Sequence, residues 1–540
     1  MKSNFSRMPS VTISRSKFLR KSQHKTSLLL GELTPIYLDE VLPGDTRKID
    51  IGSLIRMSTP VAPVMDNIYV DLYAFFVPNR LTWNHWKEFM GENNSSAGIY
   101  SGTAYTIPSV DIFASSVGKN SLGDHLGLPV VSADSSKHLY VSALPCRAYR
   151  LIYNRFFRDQ NLIAPSIVPL GDSPNLSYDD YAQPLKKVAK VSDYFTRALP
   201  YAQKGAPVSI PLGTSAPVIA TTTLSDLGNT MMLGHTAIGG GSAVGSGPLG
   251  VANGYVYEGS NTFTAGDSIR WSNLAVDLSS ATAATINQLR FAFQYQKLLE
   301  KDALYGTRYW EIIKAHFGVT APDASLQDPE LLGHRKIYVN VDQVIQTTGV
   351  NQSTPASNTL GATAAVSVTG DAGNIFSKSF TEHGFIMILA CARHDQTYAQ
   401  GVERMWSRKA RTDFYFPVFA NLGAQTVLNK EIYAQGDQAT NDEKAFGFQE
   451  AWAEYRYKPS KATGLLNPSV SGSLGYWTLT NDFGSLPTLG QTFIEQDRNA
   501  IARVLQTGST GPDFICDFAF QDTAVRPMPL YSIPGLIDHH

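Results

Sequence analysis

The residues whose types and spacing lend themselves to chemistry are cations. Lys2, Arg7, Arg15, Lys17, Arg20, Lys21 and Lys25 all fall within the first 25 residues, and no acid precedes Glu32. They are interleaved with Ser, Thr, Phe5 and Phe18. That mixture suits non-specific contact with phosphates, in which released counterions supply the affinity and no base edge is read. The plainer reading of the same run is a solubilising tail, while Pro9 and the Ser/Thr content oppose an amphipathic membrane helix. A second cationic set, Arg147, Arg150 and Arg158, shares one face of an amphipathic helix with Asn154, and Leu151, Ile152 and Phe156 lie on another face. That basic face is either solvated surface or a further nucleic-acid contact. The net charge of −1 conceals the asymmetry: outside the first 25 residues, 38 basic residues stand against 46 acidic ones.

Catalytic constellations are missing from the pattern. Gly245-Ser246-Gly247-Pro248-Leu249-Gly250 matches the dinucleotide fingerprint, but Pro248 sits where a helix should open and no strand precedes it. A glycine-rich loop is the better reading. There is no phosphate-binding loop, no nucleophile elbow and no metalloprotease histidine pair. His383 and His394 flank an apolar run and read as polar residues at strand ends, and Asp179 and Asp180 read as a solvated turn. Cys146, Cys391 and Cys516 fit no metal or redox spacing and read as buried, reduced thiols, which implies a reducing compartment during folding. No cofactor, metal or calcium loop is indicated.

The elements that must position the cations are mainly strands. Residues 67–78 alternate Ile68, Val70, Leu72, Ala74 and Phe76 against Tyr69, Asp71, Tyr73 and Phe75, closed by Pro78. Residues 337–342, 451–457 and 514–520 repeat the alternation. Helical spacing appears at Ile286, Leu289 and Phe293, and again from Tyr309 to Phe317 with Gly318 as a stop. Strands scattered along the chain without regular helix alternation predict an antiparallel sandwich or barrel. At 540 residues the chain far exceeds the roughly 100–150 of one domain, so it holds either several domains or one core with long excursions. Its composition, 43 % hydrophobic and 11 % aromatic, supplies a sizeable core. The longest apolar run, Phe385 to Ala392, falls well short of the about 20 residues that cross a bilayer, and no secretory signal opens the chain. Residues 205–284 differ in kind: no charge lies between Asp226 and Glu258, and Gly, Ala, Ser and Thr fill the stretch. The chain therefore divides into a basic N-terminal arm (1–30), a core (31–204), this insertion (205–284) and the continued core with a C-terminal tail (285–540).

Several long blocks carry a family resemblance. They are VLPGDTRKIDIGSLIRMSTPVAPVMDN from Val41, FFVPNRLTWNHWKEFMGEN ending at Asn93, ALPCRAYRLIYNRFFRDQN from Ala143 and GTRYWEIIKAHFGV from Gly306. RMWSRKARTDFYFPVFANLG from Arg404, GFQEAWAEYRYKP from Gly447 and RPMPLYSIPGLIDHH from Arg526 complete the set. Together they resemble the major capsid proteins of microviruses, in particular the gokushovirus branch. The resemblance implies an eight-stranded antiparallel jelly roll with long inserted loops and a few short helices. It also implies a small icosahedral T=1 shell of identical copies around a circular single-stranded DNA genome, with no enzymatic activity. Minor capsid or scaffolding proteins would be further partners, and the virion, assembled in the bacterial cytoplasm, the place of action. In that branch one insertion forms protrusions at the threefold axes; residues 205–284 are the candidate, and would meet a host-surface receptor. The competing readings are a β-rich carbohydrate-binding or carbohydrate-active protein, which would need convergent carboxylates, and a secreted adhesin, which the missing signal opposes.

Overall fold

The computed structural model describes residues 14–92, 105–174, 177–206, 208, 286–320, 322–345, 347, 363–436 and 441–531, with six short strand segments between 218 and 276. Eight strands form its two large sheets: β1 (Ser16–Leu28), β2 (Thr34–Val41), β3 (Thr46–Met57), β4 (Ile68–Pro78), β5 (Glu330–Tyr338), β6 (Thr369–Ser379), β7 (Gly384–His394) and β8 (Phe514–Arg526). The first sheet has the order β1-β8-β3-β6 and the second β5-β4-β7-β2, every pairing antiparallel. The longer helices are α1 (Leu144–Ile152), α2 (Ile286–Leu304) and α3 (Tyr309–Phe317). The protein is thus mainly β, with antiparallel sheets and few helices.

Two apolar cores account for the strand sequences. The first lies between the sheets, where Ile49, Ile51, Ile55, Phe514, Phe518 and Phe520 of the first sheet cluster with Val70, Leu72, Ile386, Ile388 and Ala390 of the second. The second covers the opposite face of the second sheet: Phe75, Val77, Phe385, Met387, Leu389 and Cys391 pack with Trp83, Tyr149 and Ile152. β4 and β7 are therefore buried on both faces, which is why Phe385 to Ala392 is an unbroken apolar run. The first sheet has one buried face only, so β3 and β8 alternate buried and open residues along their length. All three cysteines are free and buried.

A buried charge cluster links the two sheets. Arg47 on β3 is fully buried, and its Nε donates to Asp522 Oδ1 on β8 at 3.0 Å. The same guanidinium bonds Asp39 and the Tyr37 hydroxyl, both on β2, and the Glu40 carbonyl. Arg20 on β1 also bonds Asp39 and Asp522, and Arg526 Nε lies 3.1 Å from Asp45 Oδ2. Burial alone would raise the pKa of Asp39, but Arg20 and Arg47 overcome it and hold the carboxyl below its ordinary value.

Four readings depart from the sequence-based expectation, the first being residues 337–342, expected as one strand but split between the end of β5 at Tyr338 and a separate strand that begins at Asp342. The expected arm is a thirteen-residue strand from Ser16 to Leu28, paired along its whole length with β8. Residues 451–457, expected as a strand, form a turn containing a short 3₁₀ segment, Ala453–Tyr455. The extended course breaks at Trp452, with φ at +66°, and the strand lies earlier, at Ala445–Glu450 paired with Ala424–Leu428. Asp179 and Asp180 are buried, not solvated.

Residues Gln203–Lys301 form a second compact unit. Its described strands make three nested antiparallel pairs: Val218–Ala220 with Leu274–Val276, Leu233–Thr236 with Ser268–Trp271, and Leu249–Ala252 with Tyr255–Glu258. The end of the fingerprint-like motif, Leu249-Gly250, thus begins a hairpin strand; Gly245 to Pro248 lie outside the described residues.

Asp522→Ala leaves the Arg47 guanidinium buried with too little counter-charge, and is expected to cost about 3–5 kcal/mol. The double change Arg47→Met/Asp522→Leu is expected to cost much less, because neither charge remains. Denaturation of the soluble chain by guanidinium checks this; equal losses in the two variants would contradict it.

Candidate nucleic-acid interface

Strand pairing decides which cations of the N-terminal segment reach solvent. In β1 successive side chains point to opposite faces. Phe18, Arg20, His24 and Leu28 turn toward the protein, and Lys17, Lys21 and Lys25 stand exposed on the outer face. Four residues of strand advance about 13 Å, so the three lysines form a straight row at that interval. Arg20, the inward member, is spent on Asp39 and Asp522. Arg15 is exposed just before the strand, and Lys2 and Arg7 lie outside the described residues.

The register places further residues beside this row. Lys21 is opposite Gln521, Gln521 opposite Asp50 and Asp50 opposite Asn374. The next row on this face is Gln23, Ala519, Gly52 and Ala372, three of them without a long side chain. A furrow of about 660 Å³ follows that row across the strands, its lining including Lys21, Gln23, Asp50 and Gln521. β3 adds Lys48 and Arg56 to the exposed face. The described cations there, Lys17, Lys21, Lys25, Lys48 and Arg56, outnumber the acids Asp50 and Asp517, and the Lys48–Asp50 pair at 3.6 Å is too exposed to hold either tightly. Lys48 and Arg56 were not singled out from the sequence. Their signal was the strict alternation of β3, in which Arg47 keeps the phase of Ile49, Ile51 and Ile55 and its neighbours take the open face.

The cations of α1 belong to the interior. Arg147 is fully buried and grips Asp179 with two bonds of 3.0 Å, Nη1 adding the Thr82 and Gly171 carbonyls. Arg150 is buried and donates to Ser166 Oγ at 3.1 Å, while Arg158, beyond the helix, donates to the Ile163 carbonyl. The basic face expected to meet solvent or nucleic acid is instead covered, because Asp179 and loop carbonyls supply the acceptors that water would have supplied.

Elsewhere the exposed surface is rich in apolar groups. Met405, Trp406, Phe414, Val418 and Leu422 all stand open along one segment, Trp406 at 74 % and Val418 at 88 % exposure. An apolar stretch of that kind marks a contact surface. Among the described residues no helix is long and apolar enough to cross a membrane, and no group of three or more His, Cys, Asp or Glu could hold a metal ion.

Residues 6–536 match the family described as Capsid protein (F protein). The chain belongs to that family. It is 42 % identical to the Capsid protein VP1 of Bdellovibrio phage phiMH2K, over 98 % of this chain and 97 % of the relative. The Capsid protein VP1 of Chlamydia phage 1 is 40 % identical, over 99 % and 98 %. That of Spiroplasma virus 4 is 38 % identical, over 95 % and 94 %. This is a structural major capsid protein of the microvirus type, which assembles with other copies of itself into the virion.

Acid should loosen the strand that bears the lysines. His24, on the inner face of β1, and His125, in the short helix Leu122–His125, have pKa values pushed below 6.5 by burial, with Asp124 pulling the other way. His24 adds to the lowering at His125, whose Nδ1 lies 3.1 Å from Thr26 Oγ1. Both are neutral when folded and gain protons on unfolding. Their contribution is therefore whole above pH 6.5 and is lost as pH falls below it. The melting temperature of the soluble chain is expected to drop between about pH 7 and pH 5, and less so in His24→Gln/His125→Gln. A flat profile in the native chain would contradict this.

Proposed function

We propose that this capsid protein is an eight-stranded jelly roll that builds a small icosahedral T=1 shell around a circular single-stranded DNA genome. The role is structural and not enzymatic. The strand order supports the fold: strands 1, 8, 3 and 6 share one sheet and strands 2, 7, 4 and 5 the other, the arrangement expected of two interleaved Greek keys. The exposed apolar segment from Met405 to Leu422 is the surface on which copies meet. Residues 205–284, the low-charge insertion, meet the host, and minor capsid or scaffolding proteins assist assembly in the bacterial cytoplasm.

The observation that carries the DNA reading is the row Lys17, Lys21 and Lys25 on the open face of β1, beside the furrow over Gly52 and Ala519. A backbone lying across that face meets cations at regular intervals, and along the row of Ala519, Gly52 and Ala372 it meets no long side chain. Arg15 precedes the row, and Lys2 and Arg7, which lie outside the described residues, add their charge to the same contact. Arg147 and Arg150 take no part, since their guanidiniums are occupied inside the protein.

Electron microscopy of the expressed chain, with absorbance at 260 and 280 nm on the same fraction, tests the reading. Uniform small particles with excess nucleic acid are expected. Lys17→Gln/Lys21→Gln/Lys25→Gln should still form particles but hold less DNA, and the salt dependence of oligonucleotide binding should fall by about 0.7 per lost phosphate contact. Native salt slope and DNA content in that variant would remove the row from the mechanism.

A further inference from the structure

The exposed apolar segment of the main body runs beside a cavity of about 310 Å³. Its lining grades from Phe195 and Tyr398, both buried, through the half-buried Tyr457 and Ala462 to Met405 and Tyr455, which are open to solvent. The volume lies at the lower end for a small-molecule site and suits one large side chain. The three acids of the lining are already matched: Glu403 with Lys461 at 2.8 Å, Glu431 with Arg404 at 3.2 Å and Glu454 with Arg408 at 3.0 Å. With those charges paired, the group that gains most by entering is a neutral, apolar one.

Trp406 follows Met405 in sequence, stands outside that lining and is 74 % exposed. The segment that carries it is held in a fixed shape. Arg404 Nη1 donates to the Thr426 carbonyl at 2.6 Å, and Asp413 accepts the Lys409 and Ala410 amides at 2.8 Å. The Arg408 guanidinium lies 4.5 Å from the Tyr455 ring and 5.5 Å from that of Phe414, and Tyr415 packs against Tyr455. An apolar surface that is open yet rigid loses little entropy when it is covered. The exposed apolar side chains of residues 402–422 and Tyr455 present on the order of 1,000 Å², and each partner of a standard interface buries ~800 Å². This one patch is large enough for a stable contact with a second copy.

We propose that the Trp406 indole of one copy fills this cavity in a second copy across a twofold axis, and that the partner's Trp406 fills the first in return. The inference rests on the reading of the Met405 to Leu422 segment as the surface on which copies meet, and it names the partner of that surface. Knob and hole lie side by side, since Arg404, Met405 and Arg408 line the cavity and Trp406 stands among them in sequence. A contact between identical patches requires that arrangement, whereas a head-to-tail contact sets knob and hole on separate faces. An indole also carries one donor that needs an acceptor when buried, and the Ser460 and Thr463 hydroxyls belong to the lining.

The test reads self-association of the full-length chain by sedimentation and by particle yield. Trp406→Ala is expected to weaken association at least about 30-fold, the loss that marks a buried aromatic anchor, and Trp406→Phe less. Ala462→Trp, which fills the cavity from within, should weaken it as well. A short bismaleimide then probes the geometry in mixtures of a Trp406→Cys chain with an Ala462→Cys chain, where the buried native thiols do not compete. Cross-linked dimers are expected in excess of those from either chain alone, and no excess would overturn the pairing. In the doubly substituted chain cross-linking should stop at the dimer; a ladder of longer products would overturn the twofold arrangement. Full association in Trp406→Ala with loss in Ala462→Trp would give the cavity to another occupant and overturn the proposal. If Val418→Asp alone blocks association, the cavity proposal falls and the contact surface stands. If none of the variants changes it, both fall.

Discussion

A single buried guanidinium fixes how the two sheets meet. Arg47 sits on the inner side of β3 with no access to water, and its partners come from β2 and β8, so the strands of both sheets must be in register before its charge is satisfied. The network adds little net stability over a well-packed apolar cluster, because desolvation offsets most of the attraction. Its effect is on specificity. A one-residue slip of β3 would carry Arg47 to the open face and place Lys48 or Thr46 inside without a fork of donors to match Asp39 and Asp522. Arg20 and Arg526 extend the same logic to the first and last strands, so residues some 500 positions apart in sequence both reach Asp39.

With register fixed, the sheets divide their tasks. The second sheet is packed on both sides and takes part in two of the apolar cores of the main body. The first is packed on one side, and its free side carries lysines, small residues and a furrow. The contrast follows from composition: β7 has no charged residue before Arg393, whereas β1 and β3 carry a polar or small residue at most second positions.

Legibility in the sequence followed the range of the interactions. β4 and α3 could be read along their length and β8 over its first half, 514–520, since alternation or helical spacing marks them, and Gly318 ends α3 with φ at +72°. β3 was not read, because its regular alternation in burial is blurred in residue type by Arg47 and Ser53 on the buried face and Leu54 on the open one. The turn at 451–457 alternates like a strand, and only the positive φ of Trp452, whose Nε1 bonds the Phe419 carbonyl at 2.9 Å, turns the chain aside. The basic face of α1 misled for a similar reason: a helical projection shows that Arg147 and Arg150 are neighbours, but not that Asp179, 32 residues on, comes back to meet Arg147 and that Ser166 meets Arg150. At the candidate interface the lysines were evident, while their common face depended on pairing with a strand at the far end of the chain.

The three buried thiols carry a consequence for the covalent state of the protein. Burial pushes the Cys146 thiol up to about 11 and that of Cys516 to about 12, and raises Cys391 as well. Only a thiolate attacks a disulfide or an oxidant at a useful rate, and only if it can be reached. A folded subunit therefore presents no reactive sulfur through its cysteines. Moved from reducing to oxidising surroundings, it forms no mixed disulfides and cross-links to no neighbour. Cohesion between copies is left to non-covalent contacts, and these remain reversible in either medium.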